Sequence, residues 1–258
     1  MSETQLTRRN TPVNLVTDEE REVRVNLAAL FRLITHYQMD DKTSTHLSAR
    51  VPGTDDQFLI NPQGRLFHQM RASELVKINL DGEILSDTEE GPIEAGYVIH
   101  SAVYGARSDV NCVVHTHTIA GMAVSALECG LLPVNQKSMT FVSDMAYHDY
   151  EGFATDLEER ERLTADLGSR NWMILRNHGL LVCAPTPWTA LSWTYSLEGA
   201  CRVQIAAMQT GSKLRLPSRE VIDHTVARAR RPRDYSKPTR EWLSHLEMLD
   251  AQDPSFRN

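Results

Sequence analysis

The longest amphipathic signal in the chain begins at Thr17. In "TDEEREVRVNLAALFRLITHY", Val23, Leu27, Leu30, Phe31 and Ile34 recur at helical spacing behind a capping threonine and a first turn of acids, which predicts a helix packed on a core. Polar and apolar residues then alternate in "THLSARV" (45–51) and "DQFLINPQG" (56–64), each ended by turn residues, which predicts a hairpin. "RASELVKINLDGEIL" (71–85) suggests a short helix followed by strands around Asp81-Gly82. A helix is expected at "IEAGYVIHSAVYGAR" (93–107), a strand apolar on both faces at "DVNCVVHTH" (109–117), and a further helix at "TIAGMAVSAL" (118–127). "NWMILRNHGLLVCAP" (171–185) reads as two short strands around Asn177-His178-Gly179. A long helix spans 187–211, with Pro187 near its start and Gly211 at its end. A Pro- and Arg-rich connector and a last amphipathic stretch, "TREWLSHLEML" (239–249), follow.

These elements mix without strict βαβ alternation and without an internal repeat. That pattern favours a single α/β domain around a largely antiparallel sheet. Residues 1–16 are expected to form a disordered arm ahead of a domain running from 17 to 258. Composition is that of a soluble globular protein, with 41% hydrophobic and 24% charged residues in 258. The net charge of −7 argues against a nucleic-acid partner, and the basic run "ARARRPR" (227–233) reads as a solvated surface or interface segment. The polar start leads into no secretory signal and no apolar stretch is long enough to span a bilayer, so a cytoplasmic protein with no membrane partner is expected. Four scattered cysteines without a CxxC pair suggest buried free thiols.

The chemistry concentrates in "VVHTHT" (113–118). Successive strand side chains point to opposite faces, so His115 and His117 share one face and either converge on a metal or are two core histidines. His178, at a strand end beside Gly179, is the strongest candidate for the third ligand that a catalytic site with an open position requires. Two other HxH architectures fit poorly. The run continues Thr-Ile-Ala-Gly where a metallo-β-lactamase has Asp-His, and the chain is too short and irregular for an amidohydrolase barrel.

Three blocks in order, "HLSARVPG…FLINPQG", "HSAVYGARSDVNCVVHTHT" and "MILRNHGLLVCAPT" with the long helix after it, resemble the class II aldolase/adducin family. The resemblance covers roughly Leu27 to Gln209. It implies a three-layer α/β/α domain around a mainly antiparallel sheet, a C-terminal helical extension beyond it, and a homo-oligomer, dimer or tetramer, with sites at subunit interfaces. Family enzymes such as fuculose-phosphate aldolase hold a divalent metal with the residues matching His115, His117 and His178. Zn2+ heads the expected ions, with Mn2+, Fe2+ or Co2+ as alternatives.

The departures from the aldolases are also informative. Ungapped register from His115, with His100 and Tyr104 in place, puts Gly96 where the aldolases carry a catalytic glutamate, and the nearest acid is Glu94. The phosphate-binding segments correspond to Thr45-His46-Leu47-Ser48 and Asn61-Pro62-Gln63-Gly64, which makes His46, Ser48, Asn61 and Gly64 the expected substrate-binding residues. The family's interface tyrosine aligns with His148, with Tyr147 and Tyr150 beside it. These changes resemble the adducin-like branch and imply a metal-dependent carbon–carbon lyase acting on a small non-phosphorylated hydroxy or oxo acid, with His148, Tyr147 or Glu94 handling the proton. A non-haem iron oxygenase-like enzyme and a non-catalytic adducin-like binding module are the alternatives.

Overall fold

The Thr17 hydroxyl caps the first helix by accepting the Glu20 N–H at 3.1 Å, and Asp18, Glu19 and Glu20 lie at the positive end of the helix dipole. A computed structural model describes residues 6–8, 16–88, 90–153, 156–229 and 233–258. In chain order the elements are β1 (Thr7–Arg8), α1 (Asp18–His36), β2 (His46–Arg50), β3 (Gln57–Ile60), β4 (Val76–Asn79), β5 (Glu83–Ile84) and α2 (Glu94–Ala106). They continue with β6 (Cys112–Thr116), α3 (Ile119–Ser125), α4 (Gln136–Phe141), β7 (Ala146–His148), α5 (Glu159–Leu167), β8 (Trp172–Leu175) and β9 (Gly179–Ala184). The last three helices are α6 (Pro187–Gln209), α7 (Arg219–Ala229) and α8 (Arg240–Gln252).

The strands form one sheet in the order β1-β5-β4-β3-β2-β6-β9-β8-β7. Only the edge pairs β1–β5 and β7–β8 are parallel, so the sheet is mainly antiparallel. β6 lies in the middle with all five residues buried, which accounts for its apolar run on both faces. Leu47, Val114, Ile174 and Val182 face a core shared with α1, α3, α4, α6 and α8. Ile78, Val113, Met173 and Leu181 face the opposite core, closed by α2 and α5. The architecture is three-layer α/β/α.

The differences from the sequence pattern have local causes. Ala146–His148 is too short to show a period, and α5 is mostly charged, with Leu163 and Leu167 its only buried apolar residues. α7 falls in the segment read as a connector, because Val226 is its one buried residue. The short α4 was also unmarked; Asn135 caps it by accepting the Ser138 N–H. Most of the expected arm at 1–16 and the centre of the 227–233 basic run lie outside the described residues. Within the arm, Thr7–Arg8 pairs with Glu83–Ile84. Cys112, Cys183 and Cys201 are buried free thiols, while Cys129 is exposed.

α8 is fastened to α1 by Trp242, which is 1% exposed and donates from Nε1 to Asn26 Oδ1 at 3.0 Å. Trp242→Ala is expected to destabilise the protein by about 3–5 kcal/mol, read as a lowered urea midpoint.

Candidate metal centre

β6 pairs with β2 on one side and β9 on the other, setting His115 opposite His46 and Leu181. His117 follows one residue after the strand ends. The turn between β8 and β9 brings in the third imidazole: Asn177 adopts a left-handed conformation (φ 54°), and the His178 N–H closes onto Leu175 O at 3.1 Å. Gly179 permits the approach, since a Cβ there would lie 2.4 Å from Thr116 O and 3.2 Å from the His117 ring. The three Nε2 atoms converge, at 2.8 Å for His115–His117, 2.9 Å for His117–His178 and 3.3 Å for His115–His178. Among the described residues, these three are the cluster of ligand atoms able to hold a metal.

Proton accounting shows what the cluster is built for. His115 Nδ1 lies 3.0 Å from Leu180 O, which only accepts, so Nδ1 carries the proton and Nε2 presents a lone pair. His117 Nδ1 lies 3.4 Å from the Asp41 carboxylate, and the same reasoning leaves its Nε2 bare. Burial, and then the neighbouring histidines, push His115 well below the usual imidazole range. Burial lowers His117 against the pull of Asp41, and lowers His178 to about 4. Two neutral imidazoles with lone pairs turned toward each other at 2.8 Å repel, and a shared cation removes the conflict. The donor set therefore fits a divalent ion held by imidazole nitrogen.

The family model described as Class II Aldolase and Adducin N-terminal domain matches residues 25–205. The chain belongs to the class II aldolase/adducin family. A Pseudomonas aeruginosa protein that carries a class 2 aldolase name is 43% identical over 245 residues, covering 94% of each chain. Mouse alpha-adducin is 40% identical over 192 residues, which are 73% of this chain but 26% of the adducin. The crystal structure of an aldolase II superfamily protein from Pseudomonas syringae superposes with a TM-score of 0.89 at 47% identity, over 95% of this chain and 98% of that one. The L-fuculose 1-phosphate aldolase of Glaciozyma antarctica shares the fold, with a TM-score of 0.78 at 24% identity over 96% and 97% of the two chains. Helices α7 and α8 lie beyond the residues that the family model matches.

At the position where the family's aldolases were expected to carry glutamate, Gly96 lies against the His46 ring. A Cβ at residue 96 would come within 3.0 Å of His46 Cγ. His46 in turn sits 4.8 Å, centroid to centroid, from His115. Ser48 is buried and engaged by His100 and Tyr104, and Asn61 spends its amide on Leu47 N–H and Thr45 O. Gly64 is exposed in a left-handed turn, φ 79°. Glu94 is exposed in the first turn of α2, with no side-chain partner among the described residues.

His148 and Tyr147 diverge because they alternate along β7. Tyr147 turns to the α6 side, where its hydroxyl accepts the Leu131 N–H at 3.1 Å and Arg176 covers its ring. His148 turns to the α5 side: Nδ1 is 2.7 Å from Asp166 and Nε2 is 3.4 Å from Glu159. It lines a small cleft together with Tyr150 and His178.

Two supporting residues had no local sequence signal. Asp41 reaches His117 from the loop after α1. Glu198 on α6 is 3% exposed and accepts the hydroxyl of Thr118, the α3 cap next to His117. Removal of the carboxylate in Asp41→Ala is expected to weaken zinc binding about 10- to 100-fold in a competition titration.

Glu159, against the cost of burial and with help from Asp166, raises the His148 pKa. A raised folded pKa means that the stabilisation is full below the unfolded value of about 6.5 and is lost as pH rises through the folded value. The gap in urea midpoint between wild type and His148→Asn should therefore be wider at about pH 5.5 than at about pH 9; a pH-independent gap would contradict the ion pairing.

Proposed function

We propose that the protein is a divalent-metal-dependent carbon–carbon lyase that decarboxylates or cleaves, by retro-aldol chemistry, a small non-phosphorylated hydroxy or oxo acid. The observation that carries this reading is the pair of bare Nε2 atoms on His115 and His117, 2.8 Å apart with His178 beside them. Zn2+ is the proposed ion; Mn2+, Fe2+ and Co2+ are the other ions the nitrogen donors accept. A cation bound here supplies Lewis acidity, polarising adjacent substrate oxygens and stabilising negative charge as the carbon–carbon bond breaks.

The side chains around the histidines divide the remaining work. His148 is the proposed proton donor to the carbanionic carbon, because Glu159 and Asp166 favour its charged form and it shares a cleft with His178. Glu94, at the start of α2, is the second candidate. Tyr147 has its hydroxyl committed to Leu131. Among the expected substrate-binding residues, Ser48 and Asn61 spend their polar atoms internally, which supports a substrate without phosphate. Gly64 contributes only its turn, and His46 borders the histidines directly.

Exposed apolar side chains support a homo-oligomer, dimer or tetramer, with the site at a subunit interface. Ile119, two residues after His117, is 84% exposed, and Phe153, near Tyr150, is 89% exposed. Four free cysteines are consistent with a reducing, cytoplasmic setting, and among the described residues no helix is long and apolar enough to cross a membrane. The adducin relatives support a second reading, a non-catalytic binding module, in which the histidines are dispensable.

Elemental analysis of the purified protein decides between the readings. About one equivalent of divalent metal per chain is expected, falling to near zero in His117→Ala. Wild-type protein that neither retains nor takes up metal would sink the lyase reading.

A further inference from the structure

A chain of four buried polar side chains runs from the centre of α2 to the metal centre. His100 and Tyr104, one turn apart on α2, face β2, where Ser48 and His46 sit two residues apart; all four are at most 3% exposed. Tyr104 Oη lies 2.8 Å from Ser48 Oγ, Ser48 Oγ bonds to His100 Nδ1, and His100 Nε2 lies 2.7 Å from His46 Nδ1. Each link is one hydrogen bond with one proton between the pair, and Ser48 has a single O–H, so it either relays the chain in one of two directions or accepts at both links and leaves its own O–H unpaired.

The end residue decides the direction. The Tyr104 hydroxyl has no acceptor among the described residues other than Ser48 Oγ, and the Arg50 guanidinium over its ring brings only donors. Were the chain to run from His46 toward Tyr104, the Tyr104 O–H would be buried without an acceptor; were Ser48 to accept at both links, its own O–H would be, and folded proteins avoid both. Tyr104 therefore donates to Ser48, Ser48 donates to His100 Nδ1, and His100 Nε2–H donates to His46 Nδ1. Burial lowers the His100 pKa to about 3, so it carries a single ring proton, as this direction requires. His46 is left with its own proton on Nε2, for which no protein acceptor exists among the described residues.

That N–H belongs to a ring tilted against His115 at 4.8 Å between centroids, within electrostatic reach of His117 and His178. Gly96 makes room for the ring from behind, since a Cβ there would lie 3.0 Å from His46 Cγ. We propose that His46 is a substrate-binding residue locked by Tyr104, Ser48 and His100 as the Nε2–H tautomer, and that it donates to a carboxylate or enolate oxygen of the substrate at the metal centre. The lock sets specificity by charge type. An acceptor oxygen is matched at this point, whereas an ammonium group or a hydroxyl that must donate is not. This inference rests on the lyase reading above, which supplies the anionic oxygen.

Two measurements on zinc-loaded protein test it. In histidine-selective ¹⁵N NMR, with the His46 signals assigned by their loss in His46→Gln, Nε2 should resonate as a protonated ring nitrogen and Nδ1 as an unprotonated one. The reverse assignment overturns the proposal. Oxalate serves as the probe for calorimetric binding, with zinc content verified in each variant. His46→Phe should weaken oxalate about 10- to 100-fold, while His46→Gln, which restores an N–H at that position, should stay within about threefold of wild type. Equal affinity in wild type and His46→Phe overturns the role of His46 and leaves the lyase reading standing. Wild-type protein that holds zinc but does not bind oxalate counts against the lyase reading itself, and the inference falls with it.

Discussion

The Leu180 carbonyl behind His115 is a small feature on which the centre depends. It accepts the Nδ1 proton and so turns the Nε2 lone pair toward His117 and His178. That carbonyl is in place only because β9 pairs with β6 in one register, with His115 opposite Leu181. A one-residue slip would exchange the faces of every side chain on the strand and carry His115 into the α1–α6 core. The apolar contacts that fix the register, Val113 and Leu181 on one face and Val114 and Val182 on the other, are thus also what aims the ligands.

The second wall of the centre obeys a different constraint. His46, Ser48, His100 and Tyr104 place polar groups in an otherwise apolar layer, at a desolvation cost that only complete pairing offsets. Among the described residues, pairing is complete except at one atom, His46 Nε2, and that atom's ring borders the three converging histidines. The first wall is ordered by acceptors behind its imidazoles, which leave bare lone pairs for a cation. The second is ordered by a donor behind its imidazole, which leaves an N–H for an anion. Opposite polarisation of neighbouring histidines is a reasonable way to seat a metal and an anionic ligand side by side.

Support from the α6 layer is mechanical. Glu198 holds Thr118, and Thr118, the residue after His117, caps α3, so the exit of the chain from the centre is fixed by a buried carboxylate. Ile119, exposed at the start of α3, stands on that base two residues from His117.

Local pattern made the long helices, the hairpins and the HxH pair legible, because capping, helical spacing and strand alternation act within a few residues. Thr17 and Pro187 mark helix starts that hold in three dimensions. His178 was recognisable beside Gly179 for a similar reason: the turn that carries it is itself local. Asp41, Glu198 and the direction of the His46 chain were not legible, since each depends on residues 50 or more positions apart meeting at hydrogen-bonding distance. The sequence alone determined which imidazoles are available. Only the tertiary structure decided where their protons sit, because a ring nitrogen's state is set by the acceptor or donor that folding places behind it.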